Sequence, residues 1–190
     1  YGDHRDLHSF PTRRSPDLKG IEWVVLDPDK EGGVLAITAD IWAEDVPFSQ
    51  EYFEGCNNWC KSTIREKVRG LMHKIGVDNL LPHIVDLVAD NGDKLYGTMD
   101  EMVFLLTCDE YRKYRDVIPK YRRWIWTCTP WITTNTGYAG PVRNVITDGS
   151  LGIDFAYSGH GGVAPACIFN PRNLKLRRQA QFVESPTQDD

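Results

Sequence analysis

Covalent or metal chemistry in this 190-residue chain would have to come from its five cysteines and five histidines. Cys56, Cys60, Cys108, Cys128 and Cys167 are odd in number and scattered, which is not a disulfide framework. Cys56 and Cys60 lie closest together but lack the second Cys or His pair that completes a tetrahedral zinc site. They read as reduced thiols that pack as small hydrophobes. His73 and His83 have no partner at i+4, so no metal and no cofactor is expected. Cys167 with His160 is the couple to weigh as nucleophile and base, since such pairs meet in space and not in sequence. Neither has a neighbouring cation or helix start that would lower a thiol pKa, so no catalytic residue is assigned. Gly159–His160–Gly161–Gly162 precedes a strand and lacks the helix N-terminus of a phosphate cradle. Asp148 and Asp154 could lend oxygens to calcium only with loop carbonyls, since no EF-hand spacing is present.

Two stretches are candidates for binding. Residues 111–126 (YRKYRDVIPKYRRWIW) interleave six basic residues with Tyr111, Tyr114, Tyr121, Trp124 and Trp126, a composition found in single-strand binding grooves. The chain as a whole carries 22 Lys+Arg against 27 Asp+Glu, for a net charge of -5, which argues against a nucleic-acid partner. A strand with a basic rim accounts for the same residues. Residues 130–163 instead hold seven of the 16 glycines, and their only charges are Arg143, Asp148 and Asp154. Aromatic and small polar residues on Gly turns are the composition of a paratope, in which rings give contact area at low entropic cost. The expected ligand contacts are Trp131, Asn135, Tyr138, Arg143, Asn144, Asp148, Tyr157, Ser158 and His160. An ordinary loop-rich β-sheet has this composition too, and the residues alone do not separate the two readings.

The elements that must position these residues follow from periodicity and turn chemistry. Ile21–Leu26 is a strand that stops at Asp27–Pro28, and Asp29–Gly33 turns it into a second run, Val34–Thr38, giving an N-terminal β-hairpin. A polar, aromatic loop covers 40–58. Ile64, Val68, Leu71, Met72 and Ile75 form one helical face, with Ser62 as N-cap and Gly76 as stop. A shorter helix or turn follows around 78–81, Met102–Leu106 reads as a strand, and Asp109–Tyr114 as one or two helical turns. Val142–Thr147, Leu151–Ala156 and Val163–Phe169 read as strands on Gly-rich turns. Strands that cluster rather than alternate with helices give an α+β class. Trp23, Trp59, Ile64, Val68, Leu71, Phe104 and Leu105 are the expected core. No run reaches the roughly 18 uncharged apolar residues of a membrane span.

Residues 1–18 hold Pro11, Pro16, three Arg and three Asp without apolar periodicity, so they are expected to be a disordered tail. Asp6–Leu18 (DLHSFPTRRSPDL) also resembles a translated sequencing-adapter artefact. The expected organisation is this tail, one domain over 19–172 and a C-terminal tail over 173–190.

Four segments carry a family resemblance in order: IEWVVLD (Ile21–Asp27), WCKSTIR (Trp59–Arg65), VFLLTCDE (Val103–Glu110), and WTCTP (Trp126–Pro130) with GVAPA (Gly162–Ala166). Together they resemble a domain family of gut bacteria and their phages with W-x-x-S-x-I-R, V-F-L-L-S-x-x-E, W-L-R-S-P and G-V-R-P-A motifs. That family is similar to the C-type-lectin fold shared by formylglycine-generating enzymes and the variable proteins of diversity-generating retroelements. The resemblance implies a C-type-lectin-like scaffold that displays 131–160 to a protein or glycan, in a virion, at a cell surface or in the cytoplasm of a bacterial host. Alternatives are an enzyme of the formylglycine-generating type, or another with its site near Cys167 and His160, and a structural virion or surface module. The pattern's arginines are replaced by Cys128 and Ala164, so an internal ion pair typical of the family is not expected to survive in that form.

Overall fold

The computed structural model describes residues 20–173 and the backbone of the two-residue strand β1 (Arg14–Ser15). It is α+β, with few helices and small antiparallel sheets. Of the two expected tails, everything apart from the backbone of Arg14–Ser15 and the residue Asn173 lies outside the described residues.

β2 (Trp23–Lys30) and β3 (Gly33–Thr38) form the expected hairpin, with Lys30 opposite Gly33. The two-residue loop, Glu31 and Gly32, takes φ of 52° and 78°, as a turn matched to the twist of the strands requires. β2 does not end at Asp27–Pro28. It continues through Pro28 by register shifts between Val25, Asp27 and Lys30, and a bulged edge is where a strand tolerates a residue without an N–H.

β3 is followed in the sheet by β11 (Ala166–Phe169), which joins the two ends of the domain. The far side of β11 is shared end to end by β4 (Leu80–Leu81) and β7 (Val103–Phe104). The strand expected over 102–106 is thus only two residues of ladder. A two-stranded sheet, β5 (His83–Asp86) with β6 (Thr98–Glu101), stands beside it. A three-stranded sheet is made by β8 (Ile125–Pro130), β9 (Pro141–Val145) and β10 (Leu151–Phe155), with β9 in the middle.

α1 (Thr63–Ile75) runs between the caps read from the sequence: the Ser62 hydroxyl accepts from Arg65 N at 3.4 Å, and Gly76 closes the helix at φ 91°. Ile64, Val68, Leu71 and Ile75 face the core and are buried. α2 (Cys108–Tyr114) begins with a capping box in which Thr107 and Glu110 satisfy each other's backbone N–H. All seven expected core residues are fully buried. Trp23 meets Phe169 edge-on at 5.1 Å, and Phe48 bridges Trp59 and Trp126. Gly161 presses on the Trp124 and Trp126 rings, where a methyl group would collide with both.

Candidate functional site

The loop over 40–58 and the segment 131–157 come together as a surface of aromatic rings. Tyr52 stacks on Tyr138 at 5.5 Å and meets Tyr157 edge-on at 6.0 Å, while Phe155 stacks on Tyr157 at 5.3 Å and touches Tyr138 at 6.1 Å. All four are large and 41–51% exposed, and Phe53 and Ile153 are exposed beside them. Singly exposed apolar residues are ordinary; a contiguous group is a feature of interaction surfaces. A hydrogen bond with Tyr157 favours the protonated Tyr138 phenol and, with slight desolvation, pushes its pKa up to about 12. The Tyr138 ring is therefore neutral contact area with a hydroxyl group at its edge.

Buried polar contacts fix this surface from beneath. Asn57, wholly buried, donates to the carbonyls of Ile132 and Pro141 at 2.8 and 2.9 Å and accepts from the Tyr96 hydroxyl at 3.0 Å. The loop that carries Tyr52 is thereby tied to the segment that carries Tyr138. On the other side, Thr133 donates to Asp93 at 2.7 Å and Asn91 to Thr136 at 3.0 Å.

Of the residues expected to contact ligand, Tyr138 and Tyr157 lie in the cluster, with Ser158 next in the chain. Asn135 and His160 are exposed on flanking loops. Trp131 lies under the Arg143 guanidinium at 5.2 Å, and Arg143 also pairs with Asp90 at 3.4 Å. Asp148 accepts from Ser150 N in the β9–β10 turn, away from the rings and beside Tyr111. Asn144 is buried, packed against Gly152 with its Oδ1 unpartnered, so it is not on the displayed face. Tyr52, Phe53 and Phe155 are absent from the sequence-based set. The aromatic content of 40–58 was the signal for the first two, but their meeting with Tyr138 depends on tertiary structure.

The basic stretch is arranged differently from a base-stacking groove. Tyr111, Tyr114, Tyr121 and Trp126 are buried. Arg122 pairs with Glu44, Arg123 with Asp45, Arg112 with Asp109 and Asp90, and Lys113 with Asp27.

A second polar assembly lies at one wall of a cavity of about 570 Å³. His83 is buried on the face of Phe104, at 4.6 Å. Its Nδ1 meets Glu31 at 3.1 Å and its Nε2 meets Glu110 at 2.8 Å, so with both carboxylates ionised the ring is held as an imidazolium that donates twice. Burial opposes that charge, but the bonds to Glu110 and Glu31 outweigh it and raise the His83 pKa. Burial likewise opposes the Glu110 and Glu31 charges, and His83 reverses the effect, so both are lowered. The imidazolium contribution is complete below the unfolded pKa of about 6.5 and is lost as pH rises through the higher folded value. The carboxylate contributions are present above the unfolded range near 4.3 and are lost as pH falls through the depressed folded values. We predict that unfolding free energy falls by about 1–2 kcal/mol from pH 6 to pH 9, and that His83→Gln removes most of this slope. Denaturant titrations at both pH values check it; an equal slope in the variant would show that His83 is not the group responsible.

Each shifted thiol is raised rather than lowered. Burial is the leading cause for Cys56, Cys60, Cys108, Cys128 and Cys167, and Glu110 adds to it at Cys128. Cys167 lies buried in β11, whereas His160 is exposed. Glu101 and Glu110, whose charges reach Cys128, are paired with Arg65 and His83. Among the described residues there is no group of His, Cys, Asp and Glu placed to hold a metal, and no helix long and apolar enough to cross a membrane. No protein-family model, curated protein or solved structure matches the chain.

Proposed function

We propose that this is a noncatalytic binding domain of C-type-lectin-like fold that presents its aromatic surface to a protein or glycan, in the manner of retroelement-diversified variable proteins. The observation that carries the reading is the cluster of Tyr52, Tyr138, Phe155 and Tyr157, four exposed rings in mutual contact on a buried polar support. Rings with few rotatable bonds, held by packing, lose little entropy on binding. The pairing of C-terminal β11 with the N-terminal hairpin, and the loops carried by a separate three-stranded sheet, support the fold assignment. A genomic neighbourhood holding a reverse transcriptase and a template repeat would support the diversified reading.

The test is a Tyr138→Ala, Tyr157→Ala double variant, with circular dichroism to establish that it remains folded. Affinity for a partner identified by pull-down should fall about 30-fold or more, the scale of losing central aromatic contacts. Arg122→Ala, Arg123→Ala should leave it unchanged, and raising the salt should weaken binding only slightly. The reverse pattern would move the site to the basic stretch.

A further inference from the structure

Among the described residues β10 is an edge strand, paired with β9 on one side only. Its ladder has a fixed parity. Ile146 N donates to the Ser150 carbonyl at one end and Ala156 N to the Gly140 carbonyl at the other, so the even-numbered residues bond inward to β9. Leu151, Ile153 and Phe155 therefore turn their N–H and C=O groups to the open side. Phe155 satisfies its own locally, through the Asp154 carboxylate at 2.7 Å and Ser158 N at 2.8 Å. Leu151 and Ile153 have no such partner among the described residues.

Apolar side chains line this edge, and the carboxylates that flank Tyr52 and Phe53 in the chain are exposed. Ile153 and Phe155 share one face by strand alternation, and Phe155 continues into the tyrosine cluster. Glu51 and Glu54 are exposed next to Tyr52 and Phe53, and Asp154 lies within β10. The single cation of residues 131–160, Arg143, is already engaged by Asp90 and Trp131.

We propose that the open edge of β10 receives an extended peptide segment of a partner protein as an added strand. Its apolar or aromatic side chains alternate over Ile153 and Phe155, and its flanks carry Lys or Arg toward Glu51 and Glu54. This rests on the aromatic-surface reading and specifies its partner. Backbone groups at an unpaired edge are satisfied by another strand, which supplies N–H and C=O at the matching repeat. A glycan would cover the rings and leave that row unpaired. A second copy fits less well: two-fold pairing centred on Ile153 sets Phe155 against Leu151 of the other chain, so the two ring clusters lie at opposite ends of the pairing and do not meet.

The experiment is selection of a random-sequence peptide library on the immobilised full chain, followed by residue-resolved amide exchange with a selected peptide bound. Selected peptides should alternate apolar positions between basic flanks. Binding should slow exchange at Leu151 and Ile153 about tenfold or more and leave Gly152 and Asp154, already bonded inward, unchanged. Methylating the peptide's backbone nitrogens at alternate positions in one parity should abolish binding, and in the other parity should not. Failure to select alternating peptides, or binding that leaves Leu151 and Ile153 unprotected and tolerates methylation in either parity, overturns strand addition. If the Tyr138→Ala, Tyr157→Ala variant still loses binding in that case, the aromatic surface stands without it; if it retains binding, both readings fail. Protection of the same amides by raising the concentration of the chain alone, without peptide, identifies a second copy as the occupant and overturns the proposal.

Discussion

Replacing Glu101 by Ala should lower the unfolding free energy by about 3–5 kcal/mol, the usual result of removing one partner from a buried ion pair. Glu101 is 4% exposed and accepts from both the Arg65 guanidinium and the Trp59 indole N–H, the latter at 3.0 Å. Trp59 and Arg65 belong to the segment that opens α1, and Glu101 ends β6, so one carboxylate joins the helix to the small sheet. Its loss leaves the indole donor unpaired and the partly buried guanidinium with only the exposed Glu66, at 3.6 Å. For a chain of this length the change corresponds to a melting shift of about 10 °C. An Arg65→Met, Glu101→Leu double variant should lose much less, because it leaves no charge behind. Urea denaturation of the three proteins decides the matter, and an unchanged midpoint for Glu101→Ala would show that the assembly does not hold the helix.

Phe104→Ala should cost about 3–5 kcal/mol as well, by a different mechanism: lost transfer energy plus a cavity. Phe104 is fully buried, pairs with Ala166 of β11, and carries the His83 ring on its face. Removing it withdraws the apolar wall that helps to fix the imidazole between Glu31 and Glu110. The variant should therefore lose part of the pH slope assigned to His83, and a double-mutant cycle with His83→Gln should be clearly non-additive. A Phe104→Ala protein as stable as the parent would contradict its placement in the core.

Local chemistry made much of this architecture legible. Ser62, the 3.6-residue apolar repeat and Gly76 specify α1 without reference to anything distant, and the turn residues after Pro28 specify the hairpin. The capping box of Thr107 and Glu110 is equally local, yet it is not among the features read from the sequence, and α2 starts one residue before the helical turns expected from Asp109. What could not be read belongs to partners far apart in the chain. β4 is two residues and is a strand only because β11 lies beside it, and β11 likewise decides that just two residues of the run read over 102–106 join a ladder. β8 is buried along its whole length, so it shows no alternation. The candidate site divides the same way. Tyr138 and Tyr157 stand out by composition, but Tyr52 joins them through a loop whose path is set by Asn57, and His83 gains its two carboxylates from elements on either side of it in sequence.

β11 pairs with β3, β4 and β7, so the main sheet closes through residues near the end of the described chain. During synthesis the hairpin and α1 leave the ribosome long before the strand that fills the space between β3 and their later partners. Until Ala166–Phe169 emerges, β3 has an open edge and the apolar face of α1 an unfinished wall, a state prone to association with other chains. Folding is thus expected to wait for β11 and to be slow for the domain's size, as topologies dominated by distant contacts are. A ribosome-stalled chain ending before residue 166 should remain protease-sensitive throughout, and one extended well past 170 should become resistant in a single step.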